Sequence, residues 1–146
     1  LRLLPLPRDN SPLLVLNGDI LTSFDFESLF NFHKDNSSDI TMATINYEIN
    51  VPFGVVENEG MDVLGIYEKP SKKFLCNAGI YIFSNSILDE IPLNKFYNMT
   101  DLIQKSLDNK IKVKVFPIYE YWSDIGTSKD LKDANNLYMN KRKIWV

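Results

Sequence analysis

The 146-residue chain has a single cysteine, Cys76, and a single histidine, His33. One cysteine excludes an internal disulfide and a cysteine-based zinc cluster. Positive charge is not in excess: 16 Lys and Arg against 19 Asp and Glu leave a net charge of −3. There is therefore no basic face for the phosphate backbone, and nucleic acid is excluded as the main partner. No apolar run approaches membrane-spanning length, and no signal-peptide pattern precedes the first strand; the expectation is a cytoplasmic protein with no membrane partner. Low-complexity linkers and internal repeats are also missing. What remains is an ordinary globular composition, 45% apolar and 24% charged, in a length that suits one domain with a real core.

The hydrophobic pattern alternates between two periods. "LLVL" (13–16) is apolar without alternation, as in a strand covered on both faces. Asp25 can cap a helix whose stripe is Phe26, Leu29, Phe30 and His33. "DITMATINY" (39–47) reads as a strand. "FGVVEN" and "VLGIYEK" read as a hairpin turning at "EGMD". "PSKKFL" (70–75) is polar and reads as a loop, followed by a strand in "CNAGIYIF" (76–83). "NMTDLIQKSL" opens a helix with Asn98 as cap and Asp101 three residues on. "KVKVFPI" (112–118) reads as the last strand. Thr127 and Asp130 form a capping-box pattern before a helix over 128–139, and "NKRKIWV" reads as that helix's end. These elements predict one α/β domain, a mixed sheet with helices on its faces.

Four short stretches along this frame carry chemistry. They are Asn17-Gly18-Asp19 at the mouth of the first strand; Gly54 in "VPFGVVE" with Glu68-Lys69-Pro70 after it; Asn77 to Tyr81, "NAGIY"; and "EYWSDIGT", with Trp122, Asp124 and Gly126. Taken singly, each has a structural reading. Asp19 and Asp124 could cap turns, Lys69 could be a solvated charge beside Glu57 or Glu68, and Gly54 and Gly79 could mark bulges. Cys76 reads as a small buried hydrophobe, His33 as structural, and Tyr121 and Trp122 as packing.

Taken together, in this order and spacing, the four stretches resemble the sugar-phosphate nucleotidyltransferases, of the mannose-1-phosphate guanylyltransferase and glucose-1-phosphate thymidylyltransferase type. The resemblance runs from about Leu13 to Asn136. It implies a nucleotide-diphospho-sugar transferase-like, Rossmann-like fold with a mostly parallel mixed sheet. It implies nucleotidyl transfer from a nucleoside triphosphate to a sugar 1-phosphate, giving a nucleotide sugar and pyrophosphate, and it allows a homo-oligomer. By the same resemblance Asp19 and Asp124 hold a catalytic Mg2+, Lys69 contacts the sugar phosphate and Glu68 a sugar hydroxyl. Asn17, Gly18, Gly54, Asn77 and Gly79 would line the substrate pocket. The residue types suit that chemistry, because two anions must meet and alignment with charge neutralisation carries the step. Magnesium accepts a few carboxylates together with phosphate oxygens and water.

One departure from the family stands out. Its glycine-rich phosphate-binding loop, G-G-x-G-x-R-L-x-P-L-T, has no counterpart; "LRLLPLP" matches only the tail, at Arg2-Leu3 and Pro5-Leu6. The better alignment puts residues 1–4 at the end of a helix before the Asn-Gly-Asp strand. Residues 1–146 are then expected to form the C-terminal part of a catalytic domain, inactive alone. Two other classes stay open: a metal-dependent glycosyltransferase, which would show a D-x-D pair where this chain has one acid, and a non-catalytic homologue that senses sugar phosphates or assembles with partners.

Overall fold

The computed structural model describes Asp9 and residues 11–140. Helix α1 (Phe26–Asp35) starts where the Asp25 carboxylate accepts hydrogen bonds from the N–H groups of Glu27 at 3.0 Å and Ser28 at 3.2 Å. Its inward stripe buries Leu29 and His33. His33 is structural, with Nδ1 2.8 Å from Thr41 Oγ1. At helix α2 (Met99–Asp108) the Asp101 carboxylate accepts from both the backbone N–H and the side-chain amide of Asn98, at 3.4 and 2.9 Å. Helix α3 (Ser128–Asn140) opens on a reciprocal box: Thr127 N–H donates to Asp130 Oδ2 at 3.1 Å, and Asp130 N–H donates to Thr127 Oγ1 at 3.2 Å. All three starts lie where the sequence places them.

The main sheet has four strands: β1 (Leu13–Leu16), β3 (Ile40–Asn50), β6 (Ser71–Phe83) and β7 (Val113–Pro117), in the order β1-β6-β3-β7. The sheet is mixed. β6 runs antiparallel to both β1 and β3, while β3 and β7 are parallel. Three strands therefore point one way, in line with a mostly parallel sheet, yet two of the three ladders are antiparallel because β6 lies between β1 and β3. Alternate β6 residues face opposite layers. Ile80 and Ile82 pack with Leu29 of α1, and Tyr81 and Phe83 pack with Leu102 and Ile103 of α2, so helices cover both faces. Ile80, Ile82 and Phe83 are fully enclosed, and burial of each contributes about 1.5–3 kcal/mol. Leu14 and Val15 of β1 join the two opposite layers, which is why that strand shows no alternation. Among the described residues it is nonetheless an edge strand, half-buried at Leu13 to Val15 and exposed at Leu16.

Several boundaries differ from the sequence reading. The polar 70–75 stretch is not a loop: Ser71 onward is strand, and β3 and β6 pair out to Asn50↔Ser71. Both faces of this extension are solvated, so lysines fit it; Lys73 lies 4.0 Å from Glu48 and Lys72 sits over the Phe74 ring. The hairpin β4 (Val55–Glu59) and β5 (Asp62–Tyr67) forms a sheet of its own and turns at Gly60, whose φ is +58°. Cys76 is half-buried rather than buried. Three elements have no counterpart in the sequence expectation: strands β2 (Ile20–Thr22) and β8 (Trp122–Asp124), and a 3-10 helix over Asn85–Glu90. The readings for residues 1–4 and for the stretch from 141 onward lie outside the described residues.

Candidate functional site

The two three-residue strands build the site. β2 pairs with β8 antiparallel, so that Ile20 faces Asp124 and Thr22 faces Trp122. The pair is extended by the Ile125 N–H, which donates to the Asp19 carbonyl at 2.8 Å. Residues remote in the chain are thereby set at one end of a short ribbon. Gly126 marks the convergence: a Cβ added there would stand 3.1 Å from Asp124 Oδ1 and 4.0 Å from Asp19 Oδ2. Asp124 Oδ1 also accepts the Gly126 N–H at 2.9 Å. Asp124 Oδ1 thus serves the turn before α3, at the same glycine that Asp19 Oδ2 approaches. Asp19 and Asp124 are both exposed, so neither charge bears a desolvation cost. The Asp19 carboxylate has no hydrogen bond or ion pair among the described residues.

Beside the aspartates, β6 breaks its ladder. Met42 pairs with Tyr81 and Thr44 with Asn77, so β6 carries extra residues, and Ala78 and Gly79 oppose no residue of β1 or β3. Gly79 adopts φ +70° and is a bulge, as one reading of it expects. Its missing side chain matters: a Cβ there would come within 2.6 Å of Asn17 Nδ2 and 2.8 Å of Ile20 Cδ1. The space is filled by the chain itself. The Asn17 N–H donates to the Gly79 carbonyl, and Gly79 N–H donates to Asn77 Oδ1, each at 2.9 Å. Asn77 Nδ2 donates to the Tyr81 hydroxyl at 2.6 Å. Burial pushes the Tyr81 phenol above its ordinary pKa, and the bond from Asn77 offsets this in part. At Gly18 an added Cβ would meet nothing within 4 Å.

The other predicted residues gather elsewhere. Gly54, Glu68 and Lys69 stand where the β4–β5 hairpin joins the β3–β6 extension. A Cβ at Gly54 would lie 3.3 Å from Glu68 Oε2, and Lys69 Nζ is 3.9 Å from Glu68 Oε1. Both charged side chains are largely exposed, so this pair adds little stability. Lys69 holds φ +43°, which is uncommon outside glycine, and the Pro70 carbonyl just after it accepts the Val51 N–H at 3.0 Å. Among the described residues, no hydrogen bond or ion pair joins this group to the aspartates.

A cavity of about 700 Å³ opens beside Asp124, between Ile45, Tyr47, Trp122, Thr127 and Asp130, and Asp19 does not line it. A second cavity of about 700 Å³ lies at the end of α1, around His33 and Lys34, and none of the predicted site residues lines it. No cluster of three or more His, Cys, Asp or Glu occurs among the described residues. Two adjacent, exposed carboxylates are a donor set for a hydrated hard cation that completes its shell with phosphate oxygens and water. Gly126 has no assigned role in the sequence motif and Trp122 only a packing one; what they do depends on partners in β2 and β6 that the local sequence does not reveal. No helix among the described residues is long and apolar enough to cross a membrane.

Comparison with known proteins agrees with the geometry. The chain is 30% identical over 143 residues to a mannose-1-phosphate guanyltransferase of Gibberella zeae, covering 92% of this chain and 38% of that protein. It is 33% identical over 136 residues to a glucose-1-phosphate adenylyltransferase of Clostridioides difficile, covering 84% and 35%. The chain therefore spans little more than a third of the length of these relatives. Its backbone matches the crystal structure of HddC from Yersinia pseudotuberculosis with a TM-score of 0.62 at 26% identity, over 88% of this chain and 56% of that one. The fold is that of the nucleotide-diphospho-sugar transferases. The profile of the nucleotidyl transferase family covers residues 3–141, and with the sequence motifs and fold in agreement the chain belongs to that family.

Proposed function

We propose that the full-length protein transfers a nucleotidyl group from a nucleoside triphosphate to a sugar 1-phosphate, as a cytoplasmic enzyme of nucleotide-sugar synthesis. A phosphate oxygen of the sugar 1-phosphate attacks the α-phosphorus; the bond from that phosphorus to the bridging oxygen breaks, and pyrophosphate leaves with the electron pair. Asp19 and Asp124 hold Mg2+, which when bound neutralises phosphate charge and lowers the cost of bringing two anions together. Lys69 supplies a point charge to the sugar phosphate, and Glu68, packed against Gly54, accepts a sugar hydroxyl. The positive φ of Lys69 fits a residue held for a ligand, since such strain gathers at binding sites. Asn17, Gly18, Asn77 and Gly79 shape the sugar side, with Gly79 giving Asn17 its room.

The observation that carries this reading is the convergence of Asp19 and Asp124 on Gly126. A turn cap accounts for Asp124 Oδ1 but not for the Asp19 carboxylate, which accepts no hydrogen bond among the described residues; one shared ion would use both. The test is pyrophosphate release by the full-length protein over a panel of nucleoside triphosphates and hexose 1-phosphates, with and without Mg2+. Magnesium-dependent release with at least one pair is expected. Release that is unaffected by removing magnesium sinks the metal assignment, and no release with any pair sinks the transfer reading. Residues 1–146 alone, which contain no G-x-G-x-R-L loop, should give none.

A further inference from the structure

A break in a ladder leaves backbone groups that something must satisfy, and Ala78 and Gly79 are both buried. The chain answers with groups drawn from the site. Asn77 Oδ1 accepts from Gly79 N–H, the Gly79 carbonyl accepts from Asn17 N–H, and the Ala78 carbonyl accepts from the Trp122 indole Nε1–H at 2.9 Å. Of these bonds, only the last crosses from β6 to β8, the strand that ends in Asp124. The indole also packs on the cluster that contains Ala78 and Ile80, so contact and hydrogen bond fix the same orientation. Apolar packing alone would be met by any aromatic ring. The indole in addition brings a donor to a carbonyl that the bulge has stripped of its ladder partner.

We infer that Trp122 is a positioning residue: its indole N–H ties the Asn77–Gly79 bulge to the strand carrying Asp124, so that the sugar side and the aspartates keep one spacing. The inference rests on the transfer reading above for what that spacing serves. It differs from a packing role in its consequences. Loss of the donor frees the bulge, and with it Asn77 and the Asn17 backbone, while β8 stays paired to β2.

The test is Trp122→Phe in the full-length protein, which keeps a ring and removes the donor. In the ligand-free protein, amide hydrogen exchange at Gly79 and Asn17 should quicken roughly tenfold. The KM for sugar 1-phosphate should rise by roughly the same factor, with the KM for nucleoside triphosphate and the Tm near wild type. Unchanged exchange at both amides overturns the inference, as does an equal rise of both KM values with a fallen Tm. If the Phe variant does not fold, the wild-type indole proton decides: slow exchange supports the bond to Ala78, and exchange at the free-solvent rate overturns it. Absence of transfer in wild-type protein counts against the reading of function alone, because the exchange rates still report on the bulge.

Discussion

Two halves of one strand, β6, behave in opposite ways. From Ala78 to Phe83 it is buried, packed by helices on both faces, and its bulge is tied to Asn17 and Trp122. From Ser71 to Leu75 it is exposed, paired only to the outer half of β3, and leads back to Lys69 and the β4–β5 hairpin. That hairpin shows apolar side chains to solvent, among them Val63 at 67% and Ile66 at 71% exposure. At the inner end the chain's own contacts determine where each group sits. At the outer end, the geometry of Glu68 and Lys69 rests on a weak ion pair and a strained backbone. The inner half holds a fixed arrangement through its own contacts; the outer half has few contacts that would fix one.

The sharpest way to break that contrast is at the aspartates. Asp19→Asn or Asp124→Asn should cut transfer by roughly a hundredfold or more, the scale of losing a main charge-stabilising group. Asp19→Asn should leave the Tm within a few degrees, because the exposed Asp19 carboxylate supports no described contact. A turn-capping role predicts the reverse: activity kept and about 1 kcal/mol of stability lost. Steady-state kinetics with a melting curve separates the two outcomes.

Gly79 and Gly60 compare the inner half of β6 with the hairpin to which its outer half leads. Both have positive φ, +70° and +58°, so alanine is strained at each. An added Cβ at Gly60 meets nothing within 4 Å, whereas at Gly79 it would lie 2.6 Å from Asn17 Nδ2. Gly60→Ala should cost about 1 kcal/mol. Gly79→Ala should cost about 2–4 kcal/mol, adding overpacking to the same strain. Equal losses in urea unfolding would show that the inner site is no more tightly set than the hairpin.

At the outer end, Lys69→Ala should raise the KM for sugar 1-phosphate by about 2 kcal/mol in binding, roughly 30-fold, with stability unchanged. An unaltered KM and turnover would make Lys69 a surface charge. The smallest effect belongs to His33, away from both. Burial lowers its pKa below 6.5, with the Asp39 charge pulling the other way. The unfolded chain then holds more protons on this residue than the folded one. Its contribution is complete above pH 6.5 and is lost as the pH falls from there through the lowered folded value. A Tm that declines over this range in wild type, with a shallower decline in His33→Gln, is the expected outcome; identical slopes would remove His33 as a source.

How much of this was legible in advance follows from where each signal resides. The Asp25, Asn98 and Thr127 starts were readable because capping chemistry lies within three residues of the helix it opens. The hairpin turning at Gly60 was readable for a similar reason. The 71–75 stretch gives no strand signal because a ribbon solvated on both faces carries no hydrophobic alternation. β2 and β8 leave no sequence signal because three residues cannot display a period. The motif residues can be named, but nothing local shows that Asn77 and Gly79 join Asn17 while Lys69 stands with Glu68.

By itself, the sequence determined the helices with their caps, the hairpin, the apolar strands and the order of the four motifs, since each depends on bonds or patterns spanning only a few residues. Tertiary structure alone decided the site. The convergence on Gly126 comes from pairing Ile20 with Asp124, and the bulge is held by an indole far along the chain from the carbonyl it meets. Strand pairing takes its partner from anywhere in the chain, so its outcome depends on the whole packed sheet rather than on the residues that carry the chemistry.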